Sequence, residues 1–425
     1  MDLRAMNSGV SGLLAEQQAL GVVGDNIANV NTVGYKAERA IFEDVLGHSI
    51  LAGTSSGLPG AGVAIGAIKQ EYTQGSLNTT GIATDVALSG EGFFVVNGAV
   101  DGVVGNFYTR AGQFVIDKDG YLSNPNGLKV QGYASNGDGT YAATLSSIQA
   151  PTSSIQPRAS TAATVTANLD ASADVPANAW PAAGDNWSFS SASNFSTTMS
   201  VYDSLGAAHS MDIYFRSTGA GTGSWTWNAV VDGVDTGSTG ALTFDDVGAL
   251  ATSTGGPVTV TGLADGAQDM SIAVNFGTVG TPPVPGASTG FASASNVSSQ
   301  SQDGYTSGDF SGVSIDGQGV VQGLYTNGQK IAIAQMGIAK FRSNDGLGRA
   351  GQTLWIDTRE SGPAAMGTAA SGGRGSVSAG AVESSNVDLA SEFVSMIQHQ
   401  RSFSANSKTI TTADEMLQEL INIKR

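Results

Sequence analysis

The sequence predicts a mostly β protein with α-helical termini, in which β domains are nested and the N- and C-terminal helices pair into an axial core domain. Three observations carry that expectation. Apolar residues at both ends fall on heptad seams. The interior reads as short alternating runs broken by Gly, Asn and Asp. A central stretch of about 145 residues changes composition before the earlier pattern resumes. A chain of 425 residues has room for two or three ordinary domains with real cores.

Residues 1–46 and 384–425 read as helix. In the first, Leu3, Met6, Val10, Leu13, Leu20 and Ile27 share one seam, with Gln17 and Gly24 as departures. In the second, Leu389, Met396, Phe403, Ile410 and Leu417 recur every seven residues. Its companion column, Phe393, Gln400, Ser407, Asp414 and Ile421, is polar in the middle. Ser385 or Asn386 is placed to cap this helix. Neither seam has a strong apolar partner nearby except the other terminus, so the ends are expected to meet. A terminal helix packed on its own domain is the plainer alternative. Long helices of this kind are weak alone, which predicts ends that order only against a packing partner.

Between the helices, Thr84–Leu88, Phe93–Val96, Tyr108–Ile116 and Tyr121–Val130 predict a compact inner β domain. Asp117-Lys118-Asp119-Gly120 has part of a calcium loop, but position 128, where the closing glutamate belongs, is Leu; a hairpin turn fits better. From about 150 to 295 the chain is rich in Ser, Thr, Ala and Gly. Its only basic residues between Lys129 and Lys330 are Arg158 and Arg216, and no Glu occurs from 92 to 359. Strands are expected at Thr197–Tyr202, His209–Phe215, Trp225–Val231 and Met270–Phe276, with joints at Ser153–Ser160 and Thr281–Ser288. Strand patterning resumes at Val313–Ile315, Val320–Tyr325, Lys330–Phe341 and Thr353–Ile356. The expected division is a helical core (1–32 with 384–425), a linker (33–71 with 358–383), an inner β domain (72–150 with 296–357) and an inserted outer β domain (151–295).

Chemistry is conspicuous by what composition excludes. The chain has no cysteine, so disulfide frameworks and thiolate chemistry are out. Three scattered histidines make a multi-histidine metal site a poor expectation. A net charge of −17 argues against nucleic-acid binding, which needs clustered Lys and Arg. No apolar run is long enough for a membrane span, and Asp2, Asn7, Ser8 and Glu16 interrupt anything like a cleavable signal peptide. Gly53-Thr54-Ser55-Ser56-Gly57 fits G-x-S-x-G only formally, because a nucleophile elbow needs a strand before it and a helix after it. Gly60–Gly66 misses the dinucleotide spacing by one residue and reads as loop. His399, between two glutamines, reads as solvated or at an interface. No catalytic, cofactor-binding or metal residues are expected.

Several segments carry a family resemblance. Asn26-Ile27-Ala28-Asn29-Val30-Asn31-Thr32-Val33-Gly34-Tyr35-Lys36 follows a helix containing Ser8-Gly9-Val10-Ser11-Gly12-Leu13. At the other end stand Glu383-Ser384-Ser385-Asn386-Val387-Asp388-Leu389, then Gln400-Arg401-Ser402-Phe403, then Thr409–Arg425. With Thr84–Phe94 inside the chain, these resemble the signatures of the bacterial flagellar rod and hook family. The signature positions are Asn26, Asn29, Asn31, Gly34, Lys36, Asn386, Asp388 and Leu389. Val201–His209 is similar to the outer domain of hook proteins, and Asp303–Gly328 with Leu347–Trp355 also fits the hook members of the family; the resemblance thins over 170–195 and 235–290.

The resemblance implies a non-enzymatic structural subunit. Such a subunit self-polymerises into a flexible curved tube that couples rod to filament as a universal joint and encloses the export channel. It implies as partners other copies, the distal rod protein, the hook cap protein, the hook–filament junction protein and the flagellar export apparatus. No cofactor, nucleic acid or membrane insertion enters. Export without a cleaved signal peptide and an extracellular place in the flagellum follow from it as well. The seam residues become polymerisation residues, and Gly34 with the glycines of Ser55–Gly66 become hinges or plain turns. The rivals are a distal rod or other axial protein, against which the long insertion argues, and a secreted β-rich adhesin, which needs a signal or anchor.

Overall fold

The computed structural model describes residues 4–46, 60–181, 188–219, 221, 223–263 and 266–423. Within them the chain is mostly β, with one long helix near each end, α1 (Arg4–Ala28) and α2 (Leu389–Ile423), paired with each other. That is the expected fold class. Leu3 and the Gly53–Gly57 motif with Ser55 lie outside the described residues.

Helix α1 stops well short of residue 46. The Asn29 amide donates to the Asp25 carbonyl at 2.9 Å and its oxygen accepts from the Thr32 hydroxyl at 3.0 Å, giving the backbone an alternative to further helix. Gly34, at φ +70°, then turns the chain. Residues beyond it form β1 (Glu38–Leu46), antiparallel to β2 (Gly60–Gln70), with Glu38 opposite Gln70. Gly60–Gly66 is therefore strand rather than loop. Gly62 is needed for close approach to α1: a Cβ there would stand 2.1 Å from Ser11 Oγ.

Helix α2 is capped by Asp388, not by Ser385 or Asn386. Asp388 Oδ1 accepts the amides of Ala390 (2.9 Å) and Ser391 (3.4 Å), and its charge suits a helix N-terminus. Asn386 is committed elsewhere, as described below.

The chain divides into two compact units. The first holds residues up to 152, 312–324 and from 330 onward. Its main sheet runs through Lys330–Met336, Lys129–Ser135, Phe93–Val100, Val103–Thr109 and Leu354–Ile356 as neighbours. Phe93, Val95, Tyr108, Phe341 and Trp355 build an aromatic core on it, with the Tyr108 and Phe341 rings edge-to-face at 4.7 Å. Asp117–Gly120 is the expected turn: Asp117 Oδ1 accepts the amides of Asp119 and Tyr121, at 2.9 and 2.8 Å.

The second unit holds 153–311 and 325–329. Five antiparallel strands, Phe195–Tyr202, Ala208–Gly219, Ser224–Val231, Val234–Phe244 and Leu250–Gly255, form a meander. Burial alternates along the second, with Met211, Ile213 and Phe215 inward. Asp232 and Gly233 make a two-residue turn, both at positive φ, as a type I′ hairpin requires. A four-stranded sheet shares the core, which centres on Phe215, Trp225, Trp227 and Phe276.

Two boundaries differ from expectation. Asn296–Gln302, placed by sequence in the inner domain, pairs antiparallel with Ala162–Asn168 in this second unit. Thr281–Ser288 is no joint, because Ser288 is buried and its Oγ accepts the Ala167 amide at 3.2 Å. Its prolines shape a loop within the unit.

Candidate functional site

Both chain ends converge on one region of the first unit, where a helix pair stands on a buried polar clasp. The helices run antiparallel. Gly9 faces Ile410 and Gly12 faces Asn406, and a Cβ at Gly12 would lie 2.6 Å from the Asn406 amide nitrogen. Glu16 Oε2 lies 2.6 Å from His399 Nδ1, and the Phe42 ring of β1 stacks on that histidine at 6.0 Å. His399 is thus an interface residue.

The contact inside one chain is not the expected apolar seam. The buried face of α1 is Gly9, Gly12, Ala15, Ala19, Val22, Val23 and Asn26, a stripe of mostly small residues recurring every three or four positions. Small side chains let α2 and the β1–β2 hairpin approach closely. Of the seam residues, Met6, Leu13, Leu20, Ile27, Met396, Ile410 and Leu417 are half-buried, whereas Val10, Leu389 and Phe403 are exposed. Leu14, Phe393, Val394 and Ile397 are exposed by 49–59%. Two large apolar faces therefore point away from the contact the helices make with each other.

At the foot of the pair the signature residues interlock. Asn26 is buried and satisfied on every side. Its amide donates to the Glu38 carbonyl (2.8 Å) and to Glu392 Oε1 (3.1 Å), while its oxygen accepts the Glu38 amide (2.8 Å) and the Tyr35 hydroxyl (3.3 Å). Burial foremost, then the Glu38 charge, pushes the Tyr35 hydroxyl up to about 12. Asn386 answers from the other end. Its oxygen accepts the Ala37 amide at 2.7 Å, and its amide donates to the Glu71 carbonyl and the Thr73 hydroxyl, at 2.7 and 2.8 Å. The Gly34 amide donates to the Glu383 carbonyl at 2.8 Å, and a Cβ on Gly34 would stand 2.5 Å from the Ala111 nitrogen. Asn29 shapes the turn, Asn31 is exposed, Asp388 caps α2, and Leu389 opens it.

Lys36 extends the clasp into the core. Its Nζ donates to Glu383 Oε1 (2.6 Å) and to the Thr73 carbonyl (2.7 Å). Arg110 Nη1 reaches Glu383 Oε2 at 3.3 Å. Burial draws the Lys36 and Arg110 pKa values down, opposed by the Glu383 charge. Sequence reasoning did not single out Arg110 or Glu383 as site residues, because isolated charges carry no periodic signal.

No group of three or more His, Asp or Glu side chains spaced for a metal ion occurs among the described residues. Nor is any described helix long and apolar enough to cross a membrane.

Comparison with known proteins follows the same anatomy. Residues 6–36 match the Flagella basal body rod protein description, and residues 87–168 the Flagellar hook protein FlgE/F/G D1 domain. Residues 168–305 match the Flagellar basal body protein FlaE D2 domain, and residues 378–423 the Flagellar basal body rod FlgEFG protein C-terminal region. The flagellar hook protein FlgE of Treponema pallidum is 33% identical over 468 aligned positions, covering 100% of both chains. That of Salmonella typhimurium is 34% identical over 430 positions, covering 99% of this chain and 100% of its own. A crystal structure of Helicobacter pylori flagellar hook protein FlgE2 aligns with 71% of this chain and 98% of its own, at 16% identity and a TM-score of 0.49. With full-length relatives above 30% identity, and both termini and the insertion matched in order, the chain belongs to the flagellar hook protein family.

Proposed function

We propose that this hook subunit polymerises by packing the outward apolar faces of its helix pair against the helices of neighbouring copies. One observation carries the reading: Leu14, Phe393, Val394 and Ile397 stand about half exposed on helices that already have a partner within their own chain. Full burial of such a side chain gains roughly 1.5–3 kcal/mol, and about half of that remains to be gained at these half-exposed positions. Several of them across repeated contacts supply what a single chain lacks. The seam residues Val10, Leu389 and Phe403, exposed in the single chain, belong to the same contacts.

On this reading the helical core, 1–32 with 384–425, lines a tube, and the linker, inner and outer β domains hang outside it. The tube is the curved, bending hook that couples rod to filament as a universal joint and encloses the export channel. Its end partners are the distal rod, cap and junction proteins, and its subunits leave through the flagellar export apparatus with an uncut N-terminus. Membership of the hook family supports these assignments, and the match of 168–305 to the D2 domain favours hook over a shorter rod protein.

Electron micrographs of purified protein test the reading. The full chain is expected to form short curved tubes, and a chain lacking 1–30 and 395–425 none. Normal tubes from the clipped chain would overturn it. Far-UV circular dichroism of the monomer tests whether the ends order only on assembly. If deleting those segments removes helical signal, the ends are already folded in the monomer.

A further inference from the structure

The clasp buries three charges with one carboxylate between two cations. The side chains of Lys36, Arg110 and Glu383 are 1%, 6% and 0% exposed. Lys36 precedes its counter-ion by 347 positions and Arg110 by 273. Among the described residues no other acid replaces Glu383 at both. Glu91, which also attracts Arg110, is an exposed side chain paired to Lys340 at 2.7 Å. The remaining acceptors are neutral carbonyls: Thr73 for Lys36, Leu88 and Gly90 for Arg110. Arg110 Nε is buried with no acceptor. Removing the carboxylate would leave two buried cations facing only dipoles, and an unpaired buried charge is among the costliest defects a core can hold.

These charges sit against the centre of the first unit. The Arg110 guanidinium lies over the Phe93 ring at 5.4 Å, and the strand Phe93–Val100 is bonded to neighbours on both edges. Glu383 also ties this core to the chain ends. Its Oε1 accepts the Gly75 amide at 2.9 Å and its carbonyl accepts the Gly34 amide at 2.8 Å. The second unit is organised more locally: its residues are nearly contiguous and its five-stranded meander is built of successive hairpins.

We propose that Glu383 is the closing counter-ion of the fold: its docking permits burial of Lys36 and Arg110, so that the Phe93 core and the foot of the helix pair close together, after the second unit has folded. A chain made from its N-terminus presents both cations long before their partner. Until Glu383 arrives, the cations hold the first unit open, which keeps its N-terminal half from settling into a closed form without the C-terminal helix.

Pulsed hydrogen exchange during refolding of the full chain from urea tests this. Amides of Ser224–Val231 are expected to gain protection first. Those of Gly34, Gly75 and Phe93–Val100 follow at one shared, slower rate. Glu383→Gln should slow that shared phase at least tenfold and leave the Ser224–Val231 rate unchanged. The charge-free Lys36→Met/Arg110→Met/Glu383→Leu chain should protect Phe93–Val100 ahead of Gly34 and Gly75. Protection of Phe93–Val100 before Gly34 and Gly75 in the unaltered chain overturns the proposal, as does a Glu383→Gln chain that refolds at the original rate. Should either variant fail to fold, the order of protection in the unaltered chain decides.

Discussion

Asn386 shows how much one side chain holds at the clasp. Its amide group joins the start of α2 to the backbone at 37 and 71 and to Thr73. Asn386→Ala removes these hydrogen bonds: the amide of buried Ala37 loses its acceptor at a cost of about 1–3 kcal/mol, while the Glu71 carbonyl and the Thr73 hydroxyl, on exposed residues, turn to water. Urea denaturation should therefore report a marked loss of stability in the first unit, with the second unit's transition unmoved. Gly34→Ala fails for a steric reason: the added Cβ meets the Ala111 nitrogen at 2.5 Å in a positive-φ conformation. In the second unit His209 lies between Asp232 (2.6 Å) and Asp203 (3.4 Å). The hydrogen bond with Asp232 raises its pKa above 6.5, against burial, and Asp203 adds to the rise. The folded state thus favours the protonated ring. Its contribution is complete below pH about 6.5 and fades as pH climbs through the raised value. Thermal melts should show the second unit losing a little stability across that range, and His209→Gln should flatten the dependence. A dependence unchanged in the variant would remove His209 as its source.

Individual elements were legible in proportion to their side-chain size. His209–Phe215, the middle of the strand Ala208–Gly219, was legible because Met211, Ile213 and Phe215 alternate with polar residues. Val234–Phe244, built from Asp, Thr, Gly and Ser at its centre, gave no such pattern and was missed, although it lies hydrogen-bonded between two neighbours. On α1 the heptad of large residues was visible, yet the face buried within the chain is the small-residue stripe. On the proposed reading the large residues make contacts between chains, which no single chain displays. The pairing of Arg110 with Glu383 stayed hidden because it depends on topology. At this scale Gly12→Leu is the informative change. It would drive α2 away from α1 at Asn406 and abolish tubes; normal tubes from this variant would argue that the helices do not meet there.

As a whole, the molecule assigns different physics to its two ends and its insertion. The ends carry buried hydrogen bonds and outward apolar faces. The insertion carries a Ser/Thr/Gly surface with Arg158 and Arg216 as its only basic residues between Lys129 and Lys330. Contacts made by such a surface are wet and short of ion pairs, and they slide at low cost. Substitutions on its exposed strands should change hook curvature or stiffness while tubes still form; if each one blocked assembly, the insertion would be a fixed joint instead. The claim on which everything else rests is that the outward helix faces are subunit contacts. Electron microscopy of the full-length Val394→Asp/Ile397→Asp protein, with its monomer checked by far-UV circular dichroism, tests that claim most directly. A folded monomer that forms no tubes is the predicted result, and tubes of normal width and number from the same protein would contradict it.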